Sequence, residues 1–175
     1  MLADGGARRL THRAVDAAAG LPAGSTSNLF RSRAELIAGV LQHMLDREQQ
    51  AVSELSRSPL LASNTFGESQ LVTFLGVLIA EALGPGRRAT LARRALFAEA
   101  ATDPLVAEQL LAASQYWFDL MTALVSRAGG RDARRRARWL MAYGDGLISD
   151  QLARPEADFD PTAAITPAVA GILHA

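Results

Sequence analysis

Ser25-Thr26-Ser27-Asn28 is a dense run of short hydrogen-bonding side chains in the 175-residue sequence, and Gly24 stands directly before it. Short polar side chains reach base edges without steric cost. Asn can bond adenine in two places, and the Thr methyl can touch thymine. Gly24 leaves the backbone bare where it could approach a duplex. Around the run lie Arg8, Arg9, Arg13, Arg31 and Arg33, whose guanidinium groups suit phosphates. Over residues 1–47 six arginines stand against Asp4, Asp16, Glu35 and Asp46, a net of about +2. The chemistry these residues can do is recognition of double-stranded DNA. So modest a basic bias does not identify it alone, and the same composition also suits a solvated loop between two helices.

Other chemistries find no residues to carry them. The sequence has no cysteine and no lysine, which removes thiolate metal sites, a Cys nucleophile, Schiff-base chemistry and the phosphate lysine of nucleotide-binding loops. His12, His43 and His174 are scattered, with no two at metal-ligand spacing. Gly84-Pro85-Gly86-Arg87-Arg88-Ala89 formally fits the dinucleotide fingerprint. It follows a helical pattern rather than a strand, and its central proline is wrong for a phosphate-cradling turn. No nucleophile elbow occurs. The expectation is a protein that is not an enzyme and needs no cofactor and no metal. The 18 basic and 18 acidic residues balance, and apolar and charged residues make up 49% and 21%, ordinary values for a globular protein. No stretch of 18 apolar residues and no signal-peptide pattern is present, so the expectation is a cytoplasmic protein with no membrane partner.

The elements that must position these residues are helices throughout. Leu110, Ser114, Trp117, Phe118, Met121, Leu124, Val125 and Ala128 step by three and four along one stripe. Asp103-Pro104 opens that helix and Gly129-Gly130 closes it. Further helices are predicted over about 132–152, over 66–83 with Thr65 and Glu68 at capping-box spacing, and over 87–101. Asp160-Pro161 opens a last one, which Pro167 either kinks or restarts. The first 47 residues break into shorter pieces. Thr11 caps a segment over 12–19, Gly20-Leu21-Pro22-Ala23 interrupts it, and a second piece covers 23–30. Ser32 and Glu35 then open a helix carrying Leu36, Ile37, Val40, Leu41, Met44 and Leu45. Helix, short turn and second short helix form a helix-turn-helix, whose first helix crosses the phosphate backbone while the second lies in the major groove. The fold class is all-α.

The stretch from Leu10 to Leu36, LTHRAVDAAAGLPAGSTSNLFRSRAEL, resembles the DNA-binding segment of TetR-family transcriptional regulators. The matching features are Thr11, the Ala19-Gly20 turn, Gly24–Phe30, Arg33 and Leu36. The resemblance implies a helix-turn-helix DNA-binding domain over 1–46 and a larger helical ligand-sensing and dimerisation domain over 47–175. It implies DNA-binding roles for Thr11, Arg13, Ala23, Gly24, Ser25, Thr26, Ser27, Asn28 and Arg33. Phe30 and Leu36 would anchor the reading helix in the core. Arg33 stands where the family usually has lysine, and Ser27 where it commonly has a phosphate-binding tyrosine, so that contact is expected to be lost or moved. Family members also carry a full first helix, whereas here only Met1-Leu2-Ala3-Asp4 precedes Gly5-Gly6. Val15 and Leu36 are therefore expected to be partly exposed, with the start of the coding sequence lying upstream or the form truncated and weak in DNA binding.

Large apolar residues supply what a ligand-sensing domain would need. Phe74, Leu78, Phe97, Trp117, Phe118, Met121 and Tyr143 could line a pocket for a small, mainly apolar effector, or could equally be core. Gly144 and Gly146 weaken a solvated helix and suit a close partner helix. With Leu147, Ile148, Ile165, Val169 and Ile172 they suggest a homodimer interface, or a helix buried within one chain. The run Arg127, Arg131, Arg134, Arg135, Arg136 and Arg138 reads either as a nucleic-acid patch or as a solvated helix start. The expected function is a ligand-responsive repressor binding a palindromic operator as a homodimer. The alternative is a helical ligand-binding or interaction protein without DNA affinity.

Overall fold

The computed structural model describes residues 1–56 and 66–174, and the side chains of 51, 52, 55, 56 and 113 are outside that description. Every regular element among the described residues is helical. In chain order they are α1 (Leu2–Gly5), a 3-10 turn (Ala7–Arg9), α2 (His12–Ala19), α3 (Ser25–Leu29), α4 (Arg33–Ser56), α5 (Glu68–Leu83), α6 (Arg87–Ala100), α7 (Pro104–Arg127), α8 (Ala133–Ala153) and α9 (Pro161–His174).

The boundaries follow local chemistry. Thr11 accepts a bond from the Ala14 amide at 3.2 Å and starts α2; Gly20, at φ 65°, ends it in the left-handed conformation that glycine adopts freely. Asp103 takes the Leu105 and Val106 amides and starts α7. Asp160 does the same for Thr162 and Ala163 at α9. Thr65, expected to cap the helix before Leu83, lies outside the described residues. The first turn of α5 is instead closed by Gln70, whose Oε1 accepts the Gly67 amide at 3.0 Å. Pro167 sits inside an unbroken α9, at an exposed position. Asp46-Arg47-Glu48-Gln49-Gln50 contains no helix breaker, so α4 runs through the expected domain boundary after residue 46.

The chain forms two compact units, Met1–Gln50 with Arg88–Ser114, and Ala51–Arg87 with Gln115–Ala175. The first has a core of Leu2, Ala7, Leu10, Leu36, Ile37, Leu41, Leu96, Val106 and Leu110. Leu36 was expected to be partly exposed; it is 3% exposed. Leu2, Ala7 and Leu10 from the short N-terminal turns supply one side of this core. Leu96, Val106 and Leu110, far along the chain, complete it, and sequence pattern gave no sign of that pairing. Val15 is half-buried against the same cluster. The second unit is built on Phe74, Leu71, Ile79, Met121, Val125, Leu140, Ile165 and Val169, all at 2% exposure or less. Gly76 permits α9 to approach α5: a Cβ there would stand 2.4 Å from Thr162 Oγ1.

Candidate nucleic-acid interface

The turn between α2 and α3 is organised by one carboxylate. Asp16 sits near the end of α2, 4% exposed. Its Oδ2 accepts the Gly24 amide at 2.9 Å, and its Oδ1 accepts both the Thr26 amide at 2.8 Å and the Thr26 hydroxyl. Gly24 itself adopts φ 92°, so glycine is required there by backbone conformation. The Thr26 hydroxyl and amide, with the Gly24 amide, hold the Asp16 carboxyl below the usual carboxylate range, against burial that pushes it up. Sequence reasoning missed this residue. The available signal was an acidic side chain beside Val15 in an otherwise alanine-rich segment.

That lock fixes which side of α3 faces outward. Thr26 was expected to face a groove; it is 3% exposed with its hydroxyl given to Asp16, so it is a structural residue. Phe30, one turn later, packs against the first unit's core. At 100° per residue the opposite side of α3 is centred on Asn28. Asn28 and Ser27 are exposed and Ser25 is half-exposed. The two serine hydroxyls donate back into the turn, Ser25 to Pro22 O at 2.7 Å and Ser27 to Gly24 O at 2.9 Å. They remain acceptors only. Asn28 is the polar side chain on this face with its donors and acceptor uncommitted. Thr11 and Ala23 are also exposed, at the start of α2 and in the turn.

The arginines divide. Arg8, Arg9, Arg13 and Arg31 are exposed and their guanidinium groups make no ion pair or hydrogen bond among the described residues. Arg33, expected to meet phosphate, instead donates to Ala7 O at 3.1 Å and pairs with Glu99 at 2.6 Å. It ties α4 to the N-terminal turn and to α6, and its charge is already answered. Arg88 and Arg93 pair with Asp4 and Glu48.

Residues expected to line a pocket or an interface have varied positions. Phe74 and Met121 are core, and Leu78, Trp117 and Phe118 pack partly buried around the same cluster. Phe97 belongs to the first unit and is 46% exposed; Tyr143 is 41% exposed outside the cluster, its hydroxyl 3.5 Å from Ala164 O. A shallow depression of about 570 Å³ in the second unit is lined by Glu68, Ser69, Val72, Thr73 and Thr166, none of them an expected pocket residue. Of the expected interface set, Ile165 and Val169 have 0% exposure in the chain's own core and cannot be contact residues. Their stripe of α9 packs inward on α5 and α8. Leu147, Ile148 and Ile172 are partly buried, and a Cβ on Gly144 or Gly146 would meet nothing within 4 Å. The arginine run near α8 is in part the solvated helix start expected: Arg131, Arg134, Arg135 and Arg138 are exposed, and Arg134 lies 4.0 Å from Asp119. Arg127, Arg134 and Arg135 stack over Phe66, Phe118 and Trp139 at 4.5–4.6 Å, and Arg136 is buried, donating to Leu173 O.

A positioned helix-turn-helix in an all-α chain, with an uncommitted polar face on α3 and exposed arginines in the same unit that have no partner among the described residues, defines a DNA-binding class of protein. Comparison with known proteins narrows the class. Residues 67–175 match the family model of the tetracyclin repressor-like C-terminal domain. The chain belongs to the TetR family of transcriptional regulators. Two solved structures share its fold. A transcriptional regulator from Rhodococcus sp. Rha1 has a TM-score of 0.77 at 23% identity, over 99% of this chain and 90% of that one. A protein from Rhodococcus sp. assigned to the TetR-family regulators has a TM-score of 0.75 at 20% identity, over 98% and 92%. No curated protein matches the sequence significantly. Family membership places the chain among regulators rather than enzymes. No single helix among the described residues is long and apolar enough to cross a membrane.

Proposed function

We propose that this regulator binds a palindromic DNA operator as a homodimer and represses transcription until a small, mainly apolar effector binds. In this reading residues 1–46 read DNA, and residues 47–175 sense the effector and dimerise. The observation that carries it is the outer face of α3: Asn28 uncommitted at its centre, with Arg8, Arg9, Arg13 and Arg31 unpaired in the same unit. Asn28 reads a base edge, with Ser25 and Ser27 as acceptors and the exposed arginines on phosphates. Thr11 and Ala23 lie at the backbone, and Gly24 and Thr26 hold the turn. Dimerisation through Gly144, Leu147, Ile148 and Ile172 is supported by the open space at Gly144 and by Trp139 and Tyr143, 40% and 41% exposed on the same helix. Two-fold symmetry in the protein then demands two-fold symmetry in the operator. In this reading the effector binds among Leu78, Trp117 and Phe118, which pack partly buried against the second unit's core.

Selection of bound duplexes from a randomised library by the full chain tests the reading. A palindromic consensus is expected, and Asn28→Ala should change the preferred base at one symmetric pair of positions. Equal weakening on selected and random DNA would show that Asn28 reads no base.

A further inference from the structure

Leu29 is the most exposed large apolar side chain among the described residues, at 75%. It closes α3, next in sequence to Asn28 and about 100° further round the helix, on an exposed flank. A lone exposed leucine on an ordinary surface means nothing, but this one has unusual neighbours. The hydroxyls of Ser25 and Ser27 are tied to the turn, Thr26 is buried, and Arg31, two residues on, carries a charge with no partner among the described residues. Leu29 adds nothing to the first unit's core, because Phe30 does that. The Phe30 ring lies where a Cβ on Gly39 would collide, 2.5 Å away. The exposed side of α3 therefore offers one uncommitted amide and one large uncommitted apolar group, with the unpaired Arg31 two residues beyond. The major groove offers a single apolar group for such a partner, the C5-methyl of thymine.

We propose that Leu29 is a specificity-determining residue that packs against a thymine methyl in each half-site. The inference rests on the DNA-reading function proposed above and adds the base it selects. Duplexes selected by the full chain are resynthesised with deoxyuridine in place of thymine, one symmetric pair at a time, which removes the methyl and leaves base pairing intact. Binding is measured by fluorescence polarisation for the natural chain, Leu29→Ala and Leu29→Met. At one pair the natural chain loses about fourfold in affinity per methyl, about fifteenfold for both. Leu29→Ala binds thymine and uracil duplexes equally there, and Leu29→Met keeps the discrimination. Because Leu29 is exposed, the thermal melting of Leu29→Ala stays that of the natural chain. Undiminished discrimination by Leu29→Ala, or indifference of the natural chain at every thymine, overturns the assignment while leaving DNA reading intact. A library from which the natural chain enriches nothing overturns both.

Discussion

Two groups of arginines in this chain are used in opposite ways. In the second unit Arg127, Arg134 and Arg135 lie flat on aromatic rings and Arg136 is buried against the end of α9. Those cations serve the chain's own packing. In the first unit Arg33, Arg88 and Arg93 are paired, but Arg8, Arg9, Arg13 and Arg31 have no partner among the described residues, in the same unit as the reading helix. Counting arginines ranks the run over 127–138 as the stronger candidate for nucleic acid. What separates the two groups is what the side chains already do: stacking and burial commit Arg127, Arg134, Arg135 and Arg136 to the chain's own packing, whereas Arg8, Arg9, Arg13 and Arg31 have no such role among the described residues.

The contrast can be broken at either end. The largest effect falls on the second unit's interior, where Phe74→Ala should cost about 3–5 kcal/mol in urea unfolding because a fully buried ring leaves a cavity. A much smaller cost would mean that Phe74 borders adaptable space, as an effector pocket would require. In the first unit Asp16→Ala strands the Gly24 and Thr26 amides, and DNA binding should weaken on the order of 30-fold in polarisation titrations. The same carboxylate predicts an acid dependence. Its folded pKa lies below the ordinary 3.8, so its stabilising contribution is present above that value and is lost as pH falls through the lower, folded one. Acid melting of the natural chain should therefore contain a component absent from Asp16→Asn. Asn28→Ala should lower affinity for selected duplexes about tenfold while leaving melting unchanged. Smallest is Arg134→Ala: about 0.5–1 kcal/mol of stability, lost with its stacking on Phe118, and no change in DNA affinity. A DNA effect there would erase the distinction between the two groups.

The helical class and most helix boundaries were legible because caps and breakers are local signals: Thr11, Gly20, Asp103-Pro104 and Asp160-Pro161 all act where they stand. The helix-turn-helix was legible for the same reason, since its turn is contiguous. Long-range partners were not. Nothing near Leu36 announces that Leu96, Val106 and Leu110 will cover it, and nothing near Arg33 announces Glu99. Side-chain commitments were equally hidden. Thr26 reads as a groove residue by type and is taken by Asp16 ten positions earlier, while the periodicity that suggested an interface at Ile165 and Val169 also describes a core stripe.

The most direct measurement is the salt dependence of DNA binding by the natural chain and by a variant with Arg8, Arg9, Arg13 and Arg31 all changed to Ala. If these unpaired arginines meet phosphates, the slope of log affinity against log salt should shallow by about 0.9 for each contact removed, with melting unaltered. An unchanged slope would contradict the claim that this face is where the protein meets DNA.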